Sequence, residues 1–269
     1  MKVAGWQRGL LRAAAGVLVL YAAVIAALWW GQERLLFHPQ KLAAGHHYEQ
    51  RADVHEVWVD VPGARLNALH LRLPRPDGVV FFLHGNAGSL QTWFINVDFY
   101  RRLNFDLFML DYRGFGKSSG RIESEAQLHA DVRAAWAQVA PQYAGLRRVI
   151  FGRSLGSGLA AALAAQVQPE LTVLVSPYSS VAALSHEHYP WVPDAVLRYP
   201  LRTDDALRRL QGRVLLVHGL RDTLIAPEHS ERLRALVPSA EWLPVPDAGH
   251  DDIHNHAAYL DGLGAALRR

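Results

Sequence analysis

Short apolar runs recur along the chain, at 79–83 (VVFFL), 106–111 (DLFMLD), 148–151 (RVIF), 171–175 (LTVLV) and 213–218 (RVLLVH). A short continuous run is what a strand buried on both faces looks like. A further strand is expected at 241–245. Helical patterns fill most of the gaps between runs, notably 124–140, 155–167, 227–237 and 254–268. Strands alternating with helices predict a mostly parallel sheet with helices on both faces. Upstream, residues 54–61 (VHEVWVDV) and 65–73 (RLNALHLRL) alternate polar and apolar positions around Pro62-Gly63. That pattern predicts an antiparallel hairpin at a sheet edge. Residues 177–203 break the rhythm: they are rich in Pro, Tyr and His and follow a strand, and they are read as a short cap over a site at the carboxyl ends of the strands, where sheets of this kind bind ligands.

The first segment follows neither pattern. Ala13 to Gln32 (AAAGVLVLYAAVIAALWWGQ) carries no charge. A hydrocarbon core of about 30 Å needs about 20 helical residues at 1.5 Å each, so the stretch is long enough for a transmembrane helix. Lys2, Arg8 and Arg12 precede it, and this positive bias predicts a cytoplasmic amino terminus with the remaining chain on the far side, periplasmic in a bacterium. Trp29 and Trp30 would sit at the far interface. A signal peptide cleaved after the small residues near Val24-Ile25-Ala26, giving a secreted form, is the alternative. The uncleaved anchor is preferred because the apolar run continues through Leu28-Trp29-Trp30. The predicted organisation is therefore a signal anchor at 1–32 and one α/β domain at 33–269.

Composition narrows the chemistry. The chain of 269 residues is half hydrophobic and one-fifth charged, which is an ordinary globular balance with room for one large core. Its net charge is +3, with Lys and Arg scattered and no basic stripe, so no nucleic-acid partner is expected. The absence of cysteine excludes disulfides, thiolate metal sites and a cysteine nucleophile.

Gly152-Arg153-Ser154-Leu155-Gly156 lies between a predicted strand and a predicted helix. A G-x-S-x-G turn in that setting projects the serine at the top of a sheet. Serine needs a base, and the base needs an orienting acid. The best base is His250, in a loop after strand 241–245. The best acid is Asp222, after strand 213–218. Both come from the same sheet edge as Ser154, in the chain order Ser…Asp…His. A tetrahedral oxyanion needs amide donors. The expected donors are the amides of Leu155, at the start of the helix, and of Asn86, in His84-Gly85-Asn86-Ala87-Gly88, with Ala87 as the fallback. His84 is expected to brace that loop. Trp93, Phe115, Tyr178, Tyr189 and Trp191 are expected to line an aromatic pocket for an apolar acyl group.

Together with Asp111-Tyr112-Arg113-Gly114-Phe115-Gly116-Lys117-Ser118 and His218-Gly219-x-x-Asp222, these motifs resemble the α/β-hydrolase superfamily over nearly the whole chain. The HGNAG and DYRGFGKS pair, with Leu35-Leu36-Phe37-His38-Pro39 after the apolar segment, resembles its Bem46-like branch, including the membrane-anchored serine hydrolases of the alpha/beta hydrolase domain-containing 13 and 17 types. The resemblance implies an α/β-hydrolase fold with a small cap, and a carboxylesterase, thioesterase or peptidase-like activity without a cofactor. The expected aromatic lining suits an apolar acyl group and nearness to a bilayer suits a lipid, so a small-molecule or lipid acyl substrate is expected. The S-acyl-protein thioesterases of the branch act in the cytoplasm, whereas the charge bias here puts the domain on the other side. Asp251 stands where the branch leads one to expect Asn.

Other readings compete. His250, Asp251, Asp252, His254 and His256 crowd together, but there is no H-E-x-x-H and the expected triad already uses His250, so no metal is expected. Gly114 to Ser118 lacks the full phosphate-loop spacing. His186 and His188 in the cap are expected to be solvated. A non-catalytic binding protein on a hydrolase fold is the remaining alternative, and retention of Ser154, Asp222 and His250 speaks against it.

Overall fold

The computed structural model describes residues 3–49 and 51–269. Its strands are β1 (Val54–Val61), β2 (Ala64–Leu71), β3 (Gly78–Leu83), β4 (Phe105–Leu110), β5 (Arg147–Arg153), β6 (Leu171–Val175), β7 (Arg213–Gly219) and β8 (Glu241–Val245). Its main helices are α1 (Val3–Leu36), α2 (Val97–Arg102), α3 (Glu125–Val139), α4 (Leu155–Val167), α5 (Val181–His188), α6 (Thr203–Leu207), α7 (Glu228–Leu236) and α8 (Ala257–Arg268). The strands form one eight-stranded sheet in the order β8-β7-β6-β5-β3-β4-β2-β1. The β1–β2 and β2–β4 pairs are antiparallel, and every other pair is parallel. The hairpin therefore takes one edge of the sheet, and reversal of β2 alone makes the sheet mixed.

The period-2 geometry of a strand sends alternate residues to opposite faces. On β3, Val79, Phe81 and Leu83 pack into the core beneath α3, α4 and α7. Val80 and Phe82 pack into the core beneath α2 and α8. Both faces are covered, which is why the central runs are apolar throughout rather than alternating. The predicted helix at 254–268 differs in one respect. Ile253–Asn255 is a separate 3₁₀ turn, and the chain is extended at His256 before α8 begins. The short helices α2 and α6 connect elements.

The helix α1 continues past the predicted boundary at Gln32 to Leu36. It is long and apolar enough to cross a membrane. Side chains from Leu10 to Leu20 are exposed, whereas Gln32 is buried against the rest of the chain. The Gln32 amide donates to the Val196 carbonyl at 3.0 Å and accepts from the Arg198 amide at 2.7 Å. Glu33 pairs with Arg198 at 2.6 Å and accepts from the Tyr199 hydroxyl at 2.7 Å. The last turns of α1 are thus docked on the region predicted to be a cap.

On the hairpin side, His70 is buried between Phe108 and Tyr143, and its Nε2–H donates to the Tyr143 hydroxyl at 2.7 Å. Tyr143 in turn donates to Asp106. Burial, aided by the charges of Arg72 and His55, pulls the His70 pKa down to about 4. Because the folded value lies below the unfolded value of about 6.5, the neutral ring stabilises the fold fully above pH 6.5. That contribution is lost as pH falls towards 4. Urea unfolding in nonionic detergent should show about 2–3 kcal/mol less loss between pH 7 and 4.5 in His70→Gln than in the unaltered chain. Equal loss in both would remove His70 as the source.

Candidate active site

Ser154 sits between β5 and α4 with φ +52° and ψ −125°, a conformation that side chains rarely adopt. The strain is held by steric necessity on either side. A Cβ on Gly156 would lie 2.1 Å from the Leu83 carbonyl oxygen, and one on Gly152 would lie 2.4 Å from the Gly156 carbonyl oxygen. Only hydrogen fits at both positions, so α4 starts directly against the ends of β3 and β5.

The Ser154 Oγ lies 3.0 Å from His250 Nε2, and His250 Nδ1 lies 2.7 Å from Asp222 Oδ2. The Nδ1–H tautomer satisfies both contacts: the ring donates to the carboxylate and accepts from the serine. The other carboxylate oxygen of Asp222 accepts from the amides of Leu224 and Ile225 at 3.0 and 2.9 Å. His218, fully buried behind it, has Nε2 3.4 Å from Oδ2 and donates to the Ile225 carbonyl at 2.8 Å. Burial works to raise the Asp222 pKa, but hydrogen bonds from His218, His250 and the Ile225 amide outweigh it and hold the carboxyl well below the usual carboxylate range. The three predicted side chains are thus brought together, with Asp222 ionised.

Arg153, inside the serine motif, has a part that the motif does not reveal. Its Nη2 donates to the carbonyls of His250 and Asp251 at 2.8 and 3.1 Å, and its guanidinium lies over Trp93 with 5.3 Å to the ring centroid. It therefore clamps the histidine loop. Burial lowers its pKa against the pull of Tyr259 and Asp251. His254 faces Arg153 at 3.2 Å, and burial, with that guanidinium, lowers its pKa as well. Asp251 points to solvent and meets Arg153 only through its carbonyl. Among the described residues, no group of three or more His, Asp or Glu is arranged to hold a metal ion.

The loop after β3 passes close to Ser154. Among the described residues, no protein acceptor takes the amide of Asn86 or of Leu155. The chain leaving α1 supports this loop. The Asn86 side chain donates to the Leu36 carbonyl at 3.0 Å, and the His38 amide donates to the Asn86 carbonyl at 2.8 Å. His38–Pro39 then pairs in parallel with Ala87–Gly88. His84 is fully buried beneath the loop, with Nδ1 2.7 Å from the Gly85 carbonyl.

A cavity of about 460 Å³ opens beside Ser154, within the range that holds a small ligand. Tyr178, Tyr189 and Trp191 line it, as do Asn86, Ser154 and Leu155. Tyr178 is buried and donates to the Leu155 carbonyl at 3.0 Å, so it forms the floor, whereas Tyr189 and Trp191 stand half-exposed at the rim. Trp93 and Phe115 do not reach the cavity, which corrects the expectation for both. Trp93 lies on the other side of the loop, stacked on His84, and its Nε1–H donates to the Ala87 carbonyl at 2.6 Å. Phe115 is fully buried in the core against His84 and Tyr112, because the loop after β4 turns inward. In their place the wall is completed by Leu28, Gln32, Leu35 and Leu36 of α1 and by Val181, Leu184 and Val192 of 177–203. The latter stretch is held to α7 through His229, buried with its pKa lowered by that burial, whose Nε2 lies 3.0 Å from Glu187.

The mixed sheet, the strained serine turn and the aligned Ser154, His250 and Asp222 define an α/β hydrolase. The chain belongs to the α/β-hydrolase superfamily, in the branch of the alpha/beta hydrolase domain-containing protein 17 relatives. Alpha/beta hydrolase domain-containing protein 17B of Xenopus tropicalis is 32% identical over 213 residues, covering 75% of this chain and 70% of that protein. The human 17B protein is 31% identical over the same length. An uncharacterized protein of Mycobacterium tuberculosis is 31% identical over 247 residues, covering 88% of this chain and 86% of its own. A family model described as "Serine aminopeptidase, S33" matches residues 74–203. Among solved structures, the Pyrococcus furiosus esterase Pf2001 superposes with a TM-score of 0.69 at 18% identity, covering 87% of this chain and 97% of that one. At that identity the likeness shows the fold alone.

Proposed function

We propose that this hydrolase is a membrane-anchored serine enzyme that cleaves carboxylic ester or thioester bonds of apolar acyl substrates. The observation that carries the reading is the unbroken hydrogen-bonded line from Ser154 Oγ through His250 to the ionised Asp222. Ser154 attacks the acyl carbonyl while His250 Nε2 takes its proton. Asp222 holds the ring and stabilises the imidazolium. The free amides of Leu155 and Asn86 receive the developing oxyanion, a role worth about 3 kcal/mol per donor. His250 then protonates the leaving group, and water activated by the same ring releases the acyl-enzyme. No step calls for a cofactor.

The cavity supports an acyl rather than a peptide substrate. An aminopeptidase has to hold a free ammonium group, and the residues that line the cavity include no acidic side chain. A wall of Leu28, Leu35, Leu36, Leu184 and Val192 suits a hydrocarbon chain. α1 serves as the anchor, with the positive residues before its uncharged stretch holding the amino terminus in the cytoplasm and the catalytic domain on the far side. The test is covalent labelling with a fluorophosphonate probe followed by peptide mapping. An adduct on Ser154 of the folded protein, absent after heat denaturation, is the expected result. Folded protein that forms no adduct would point instead to a binding protein on a hydrolase fold.

A further inference from the structure

The tip of the cap touches the anchor helix in a place that fixes its depth. The Tyr21 hydroxyl donates to the Trp191 carbonyl at 3.1 Å. A span of about 20 helical residues that begins anywhere from Val3 to Ala13 includes Tyr21. Tyr21 therefore lies within the bilayer or at its edge wherever α1 crosses, and Trp191 lies beside it. A polar group at membrane depth requires an internal partner, and two tip carbonyls have one: that of Trp191 accepts from Tyr21, and that of Tyr189 accepts from the Val192 amide at 2.9 Å. The side chains suit that depth as well. Tyr189 is 58% exposed, Trp191 49% and Leu224 57%. They form an apolar, aromatic rim beside the membrane helix, of the kind found at bilayer interfaces. The exposed His186–Asp194 pair beside the tip would stand at headgroup level.

The rim is also the mouth of the cavity. Tyr189, Trp191 and Leu224 line it together with α1 residues, while Ser154 lies at its inner end. We infer that the cap tip is seated in the bilayer, so that the cavity opens into the membrane and takes the acyl chain of a membrane-resident ester or thioester laterally along α1. This rests on the reading of α1 as an uncleaved span, and the occupant of the rim is lipid.

The chain has no cysteine, so a single introduced thiol can carry a nitrobenzoxadiazole fluorophore. The full chain bearing Trp191→Cys, or Tyr189→Cys as a second variant, is reconstituted in phosphatidylcholine–phosphatidylglycerol vesicles. Exposed Ala144, just before the start of β5 at the amino-terminal end of the parallel strands, away from the site, provides Ala144→Cys as the reference. The expected result is blue-shifted emission at 191 and 189, lost on adding nitroxide-bearing lipid, with water-like and unquenched emission at 144. Water-like emission at both tip positions in protein that stays with the vesicles through an alkaline carbonate wash overturns the inference alone. Blue-shifted emission that the nitroxide lipid does not quench assigns the rim to a protein partner and overturns it too. Release of the protein by the wash overturns the anchor reading and the inference together.

Discussion

Ser154→Ala is expected to reduce turnover of a p-nitrophenyl ester by about six orders of magnitude while leaving the protein folded. The substitution removes the attacking oxygen but keeps the Cβ, so the backbone at φ +52° stays as constrained as before and the melting temperature should barely move. Ser154→Gly provides the internal control. It removes the same oxygen and also relieves the positive-φ strain, so it should be as inactive as the alanine variant but more stable by about 1 kcal/mol. Steady-state kinetics and thermal melts on the three proteins read both effects. Turnover retained in Ser154→Ala above the level of His250→Ala would mean that some other group attacks the ester, and the assignment of the nucleophile would fail.

The central sheet could be read from sequence because strands covered on both faces are apolar throughout, and β3, β4 and β6 fall within a residue of where the runs place them. The edge hairpin could be read from its alternation. Ser154, Asp222 and His250 could be placed on one sheet edge because each follows a strand, a property of topology rather than of side-chain packing. The cavity wall was less accessible. Trp93 and Phe115 are expected at the cavity and lie outside it, because which face of a loop a ring takes depends on tertiary packing. Their actual partner is His84, from the loop that they brace. The part played by α1 was hidden for a related reason. Leu28 reads as a membrane-spanning residue by hydropathy, which does not distinguish a side chain facing lipid from one facing a cavity, and Leu35 and Leu36 lie beyond the uncharged stretch at 13–32. Gln32 is the available signal, a polar residue that closes the uncharged stretch of α1 and is satisfied by Val196 and Arg198. Arg153 was a second such signal, a charge within a turn whose neighbours are buried, paired with carbonyls that no sequence motif marks.

Asp222→Asn should lower kcat by about 10³- to 10⁴-fold with KM for a small soluble ester little changed. An asparagine amide in place of Oδ2 donates to His250 Nδ1, which drives the proton to Nε2 and leaves no acceptor for the Ser154 hydroxyl. The loss would therefore come from the wrong tautomer in an intact site, and fluorophosphonate labelling should slow in parallel with ester turnover. The same substitution has a separate effect on acid stability, with a sign fixed by the pKa. The Asp222 carboxyl is held below its unfolded value, as hydrogen bonds from His218, His250 and the Ile225 amide overcome the opposing effect of burial. Its stabilisation is complete above the unfolded value of about 3.9 and is lost as pH falls through the lower folded value. In Asp222→Asn that loss is absent, so the unfolding midpoint of the variant should depend less on pH below about 4 than that of the unaltered chain. A variant with low kcat but the unaltered acid profile would show that the Asp222 charge is not coupled to folding. A variant with full kcat would show that His250 is oriented without it, and the proton path from Ser154 would have to end at the ring.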